Sequence, residues 1–188
     1  MQQVEIIAAL SPIIKLFDDL KIAYYIGGSV ASSVYGLPRT TLDADLVTDL
    51  KIYHIKTLSE KLSNDYYVDE KMITEALKQR SSFNLIHLES MTKVDVFILK
   101  ENEFGRKVAK YLDESNSQQI FLCSPEDIIL NKLQWYKEGN KISERQWLDL
   151  LGVIKVQGDL LDEDYLDYWA KKLDIFDLLQ DAFNQGKN

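Results

Sequence analysis

Apolar residues recur at helical spacing over residues 4–20, and Ser11 and Pro12 fall inside that run where a second helical segment can begin, with proline in its first turn. The continuous apolar run "IAYYI" (22–26) predicts a buried strand. Gly27, Gly28 and Ser29 then make a turn into "VASSVYG", a short helix that Gly36 and Pro38 stop. After the loop Arg39, Thr40, Thr41, the alternation in "LDADLV" predicts a second strand. Asp49 is placed to cap a helix over 51–63, where Ile52, Ile55, Leu58 and Leu62 line one face. A short strand is expected at "YYV" (66–68) and a helix over 69–79. "FNLIHL" (83–88) and "KVDVFIL" (93–99) predict a hairpin joined at 89–92.

The last third changes character. In "SPEDIILNKLQWY" Ser124 stands at the N-cap, Pro125 at the first helical position and Asp127 at the third, which is a strong helix start. Ser143 and Asp162 can cap two further helices, and a last one covers 174–184. The pattern predicts an α+β fold, a mixed sheet with flanking helices and a helical C-terminal segment. A core over 1–122 carries a helical segment, 123–188, packed on it.

Bulk properties narrow the chemistry. The chain of 188 residues suits one compact globular domain or a domain with a modest helical extension. No apolar run is long enough to cross a bilayer and the first twenty residues show no basic leader, so a cytoplasmic protein that does not enter a membrane is expected. Cys123 is the one cysteine, so no internal disulfide forms, and His54 and His87 lie too far apart in sequence for a Cys/His zinc pattern. Any metal must be held by oxygen. The net charge of −8 works against a broad nucleic-acid footprint, although Lys132, Lys137, Lys141 and Arg145 cluster locally.

Asp43 and Asp45 are separated by one residue in an apolar segment, so on a strand they point to one face while Leu42, Ala44 and Leu46 point into a core. Two carboxylates held so close repel each other and need solvent or a cation. With a third acid, Asp95, between Val94 and Val96, they form an all-oxygen donor set suited to Mg²⁺ (or Mn²⁺). Glycines before a helix let backbone N–H groups approach a phosphate, so Gly27, Gly28 and Ser29 are candidates for holding an NTP. Those two parts are what nucleotidyl transfer needs, and Asp95 is placed to help take the proton of an attacking hydroxyl.

These residues resemble the nucleotidyltransferase superfamily, typified by DNA polymerase beta and by small antibiotic nucleotidyltransferases. Ile26, Gly27, Gly28 and Ser29 match the first half of its signature; Asp43, Ala44, Asp45 and Leu46 match the acid-hydrophobic-acid-hydrophobic second half. Within the superfamily the chain is similar to the AbiEii-type group, because Arg39 and Thr41 fill its R-x-T-x-D-x-D loop and "SPEDIILNKL" with "SERQWLD" match its tail at Pro125, Glu126, Asp127, Lys132, Arg145 and Asp149. Ala44 departs from the larger apolar residue usual between the acids.

The resemblance implies transfer of a nucleoside monophosphate from an NTP to a hydroxyl on an RNA 3′ end, a protein or a small molecule. It also implies nucleotide binding by Arg39, Thr41 and Lys132 with Asp149 supporting the site, and a toxin role with a cognate antitoxin. Plainer readings stand beside these. Arg145 and Asp149, four apart, suit a helical ion pair, Lys132 suits a solvated lysine, and the whole chain suits a noncatalytic nucleotide-binding or interaction module on the same fold.

Overall fold

The structure, a computed structural model, describes residues 2–99, 108–113 and 118–186. It is mixed α+β. Among the described residues, seven strands form one sheet in the order β3-β4-β5-β2-β1-β7-β6. They are β1 (Tyr24–Ile26), β2 (Asp43–Thr48), β3 (Tyr66–Tyr67), β4 (Ser82–His87), β5 (Lys93–Ile98), β6 (Val108–Asp113) and β7 (Gln118–Cys123). The helices are α1 (Gln2–Asp19), α2 (Gly28–Tyr35), α3 (Ile55–Leu62), α4 (Glu70–Gln79), α5 (Pro125–Glu138), α6 (Glu144–Gln157), α7 (Glu163–Lys172) and α8 (Phe176–Gly186).

The chain divides into two compact units. The first comprises the described residues of Met1–Gly27, Thr40–Glu103 and Lys110–Leu122, and the second those of Gly28–Arg39, Phe104–Ala109 and Cys123–Asn188. In the first unit β2 runs antiparallel to β1 and parallel to β5, while β4 runs antiparallel to both β3 and β5. Burial alternates along β2 and β5: Ala44, Leu46, Val94 and Val96 are buried while Asp43, Asp45, Lys93 and Asp95 are half-buried; Leu42, expected in the core, precedes β2 and is exposed. The buried face meets α1, whose Ile13 and Phe17 are fully covered. Tyr66 belongs to the same core, its hydroxyl donating 2.8 Å to the Ala9 carbonyl.

Three local expectations are corrected. Pro12 does not begin a new segment but lies within the single helix α1. Burial of Ile13, Ile14 and Phe17 on that helix offsets the hydrogen bond that proline removes. Asp49 caps no helix; a 3-10 turn, Ile52–His54, starts after Lys51, and the Asp49 carboxylate pairs with Lys51 Nζ at 2.6 Å. Finally, the hydrophobic pattern gave no element over 108–123, where β6 and β7 add two strands, β7 lying parallel to β1.

The second unit is helical. Ser124 caps α5, its Oγ accepting from Asp127 N at 3.2 Å, and Asp162 caps α7, its carboxylate accepting from Tyr165 N at 3.0 Å. Asp127 and Glu126 are buried, and the Tyr165 hydroxyl donates 2.7 Å to Asp127 while Asp162 N donates 3.1 Å to Glu126, so α5 and α7 are joined by polar contacts as well as by packing. Gly36, expected only to stop α2, lies at a close approach to α6. A Cβ on it stands 2.8 Å from Val153 N and 2.9 Å from Gly152 C, backbone atoms that cannot rotate away. Gly36→Ala is therefore expected to cost about 1–3 kcal/mol by overpacking. A lower urea midpoint at unchanged m-value shows it, and a native midpoint refutes it.

Candidate active site

The first unit sets its acids by register. Asp45 lies opposite Asp95 and Asp43 opposite Lys93 across the parallel pair β2·β5, and Asn84 on β4 lies opposite Asp95 on its other side. Alternation puts all five side chains on the half-buried face. The strand pattern thus aims the acids, and the parallel pairing brings the third to the first two. Like charges directly opposite each other destabilise a sheet, so this corner requires positive charge.

Lys93 supplies some of it. Its Nζ stands 2.7 Å from Asp95 Oδ2. The hydrogen bond to Asp95 raises the Lys93 ammonium above the ordinary lysine range; burial opposes it, and the charges of Asp95, Asp43 and Asp45 add to the rise. Thr41 Oγ1 donates 2.8 Å to Asp43 Oδ1, which fixes that carboxylate from the loop before β2. Among the described residues no three His, Cys, Asp or Glu side chains are gathered closely enough to hold a metal ion as they stand. The donor set nevertheless fits a hard dication: carboxylate oxygens, on one face, on adjacent strands.

Gly27 also belongs here. Its N–H donates 2.9 Å to the Asp45 carbonyl, so Gly27 is tied by its backbone to the middle of the acid motif. Gly28, with φ of 53°, takes the left-handed conformation that favours glycine as the chain enters α2.

In the second unit four of the expected binding residues form a charged cluster. Arg39 Nε and Nη2 grip Asp149 at 2.7 and 3.0 Å, a fork on a carboxylate, and Nη2 also donates to Ser29 Oγ. Lys132 Nζ reaches the same carboxylate at 2.8 Å and Gln146 Oε1 at 2.9 Å. The side chains of Lys132 and Asp149 are only 6% and 7% exposed, so Lys132 is no solvated surface lysine. Burial alone raises the Asp149 carboxyl, but the hydrogen bonds and charges of Arg39 and Lys132 outweigh it and hold the group below the usual carboxylate range. Asp149 therefore turns to partners distant in sequence, and exposed Arg145 does not have the helical pairing with it that their spacing suggested.

Lys93 and Asn84 were not singled out from the sequence. Lys93 shares a strand face with Asp95 at a spacing of two, a legible signal, whereas Asn84 enters only through the register of β4 on β5. Cys123 is buried and its thiol is pushed up by burial, which makes it a poor nucleophile. His87 is packed, its Nδ1 within 2.8 Å of Ser90 Oγ.

No family model matches the sequence, and no curated protein matches it. Solved structures do. The chain is similar to the lincosamide antibiotic adenylyltransferase LnuA in its lincomycin-bound form, 18% identical, over 78% of this chain and 95% of that one with a TM-score of 0.52. It is similar to ANT(2″)-Ia in complex with adenylyl-2″-tobramycin, 11% identical, over 88% and 97% of the two chains with a TM-score of 0.58. An antigenic nucleotidyltransferase-like protein from Paracoccidioides brasiliensis is 17% identical over 94% and 91%, with a TM-score of 0.51. The strand order, the parallel placing of β2 beside β5 and these likenesses together identify the fold as that of the nucleotidyltransferases.

Proposed function

We propose that the protein is a Mg²⁺-dependent nucleotidyltransferase that moves a nucleoside monophosphate from an NTP to a hydroxyl acceptor and releases pyrophosphate. The observation that carries this reading is the register that sets Asp45 beside Asp95, with Asp43 two residues away on the same face. Asp43, Asp45 and Asp95 are the residues assigned to hold the cation, whose chemistry is to neutralise phosphate charge and polarise the reacting oxygens. Thr41 keeps Asp43 oriented toward the site. Asp95, the acid farthest along the sheet from the glycine turn, is assigned to accept the proton of the attacking hydroxyl.

The phosphates are assigned to the backbone of Gly27, Gly28 and Ser29 and to Arg39. Lys132 and Asp149 are assigned to support them, because their side chains are buried and Asp149 holds the Arg39 guanidinium. The acceptor is assigned to the small hydroxyl compounds rather than RNA. LnuA was solved with lincomycin and ANT(2″)-Ia with adenylyl-2″-tobramycin, and a chain of net charge −8 is poorly suited to a polyanion and well suited to a cationic small molecule.

Incubation of the purified protein with each α-labelled NTP, Mg²⁺ and, separately, small-molecule, RNA and protein fractions of a cell extract tests the assignment. Label in the small-molecule fraction is expected. Label in RNA, with growth arrest on expression that a co-expressed partner relieves, replaces this acceptor with that of an AbiEii-type toxin paired with an antitoxin. Absence of label in every fraction, while NTP still raises the melting temperature, replaces the enzyme with a nucleotide-binding module.

A further inference from the structure

Asp43, Asp45, Asp95 and Lys93 occupy the corners of one patch of sheet, Asp43 facing Lys93 and Asp45 facing Asp95. Adjacent strands lie roughly 5 Å apart and alternate residues on a strand roughly 7 Å, so a lysine stem reaches every carboxylate of the patch. The Lys93 ammonium is on Asp95 at 2.7 Å, feels the charges of Asp43 and Asp45, and is 45% exposed, which leaves it room to swing into solvent. No three acids are gathered closely enough to hold a metal ion among the described residues, and the acid that Lys93 engages is one of the three assigned to the cation.

We infer that Lys93 is a built-in counter-ion of the metal-free site, which the divalent cation must displace from Asp95, so that Lys93 sets how tightly the cation binds. The inference rests on the assignment of Asp43, Asp45 and Asp95 as the cation site. Two physical consequences follow. Without a cation, the ammonium relieves repulsion among carboxylates that the sheet register forces together. With a cation, the same ammonium is a competitor, and the cation binds more weakly than three carboxylates alone would hold it. A free NTP–cation complex is then favoured over the bare cation, because the phosphates supply the oxygens and the negative charge that receive the released ammonium.

The test is binding of Mn²⁺ alone to the full chain in the absence of nucleotide, read from the electron paramagnetic resonance signal of free Mn²⁺. Lys93→Met keeps the apolar stem and removes the charge; it is expected to bind Mn²⁺ about two- to fivefold more tightly than the native protein, in line with loss of one partly exposed ion pair. In EDTA the same variant is expected to melt lower than the native chain, and Mn²⁺ to raise its melting temperature by more. Lys93→Arg, whose guanidinium forks on a carboxylate, is expected to bind Mn²⁺ more weakly than native. If Lys93→Met fails to fold, the arginine variant decides alone: weaker binding supports the inference, equal or tighter binding overturns it. Equal Mn²⁺ affinity in native and Lys93→Met, with binding lost in Asp45→Asn, overturns the role of Lys93 and leaves the cation site standing. No Mn²⁺ binding by either native or Lys93→Met overturns both.

Discussion

Asp45→Asn is expected to reduce nucleotidyl transfer by about a thousandfold or more while leaving the melting temperature at or slightly above the native value. Asparagine keeps the volume and the strand position but carries no negative charge, so the donor set loses one of its three anionic ligands and the remaining pair binds a dication poorly. The strand is set by its pairing with β1 and β5 and by burial of Ala44 and Leu46 on its other face. Asp45 is half-buried on the face away from the core and lies opposite another carboxylate, so removing it lessens repulsion. The double variant Asp43→Asn, Asp45→Asn is expected to show no transfer above background. Circular dichroism and thermal melting separate this loss from unfolding, and turnover retained by a folded double variant contradicts the assignment.

The second large effect is on stability. Asp149→Ala is expected to cost about 3–5 kcal/mol, because it leaves the buried Lys132 ammonium, and the Arg39 guanidinium beside it, without the carboxylate that compensates both. Asp149→Leu combined with Lys132→Met is expected to recover a good part of the loss, since both members of the buried pair are then replaced by apolar groups. The effect depends on pH with a definite sign. The folded Asp149 carboxyl lies below its unfolded value, so its contribution is complete above that unfolded value, near pH 4, and disappears as pH falls through the folded one. The difference in unfolding free energy between native and Asp149→Ala is thus expected to be constant from about pH 5 to 7 and to shrink below about pH 4. A difference that stays constant down to pH 2 contradicts the pairing of Asp149 with Arg39 and Lys132.

Much of this architecture was legible in the chain because local chemistry and burial agree. Alternation in "LDADLV" and "KVDVFIL" fixed both strands and the face of each acid, and Ser124-Pro125 fixed the start of α5 through a cap that the structure contains. What local pattern does not carry is pairing. That β5 lies parallel to β2 with Asp95 against Asp45 is a register between residues fifty apart in the chain, and no periodicity records it. The same reason hid Asn84, and it hid the partners of Asp149: spacing of four pointed to Arg145, but burial of the carboxylate in the helical unit favours Lys132 and Arg39, whose positions only the packing decides. Pro12 misleads in the opposite direction, because proline suits the first turn of a new segment, yet burial of Ile13, Ile14 and Phe17 along one helix face keeps it inside α1. Gly36 was read as punctuation when its deeper reason is the backbone of α6 against it.

The corner formed by Asp43, Asp45 and Asp95 is the centre of the account, and the measurement that tests it most directly is pyrophosphate release from each of the four NTPs by purified protein with a hydroxyl-rich small-molecule extract. Native protein is expected to release pyrophosphate in Mg²⁺, to stop in EDTA, and to resume when Mg²⁺ is restored, while Asp45→Asn and Asp95→Asn, folded to the same melting temperature within a few degrees, release none above background. Pyrophosphate released equally by native protein and by the folded acid variants contradicts the account, because the chemistry then resides elsewhere in the chain.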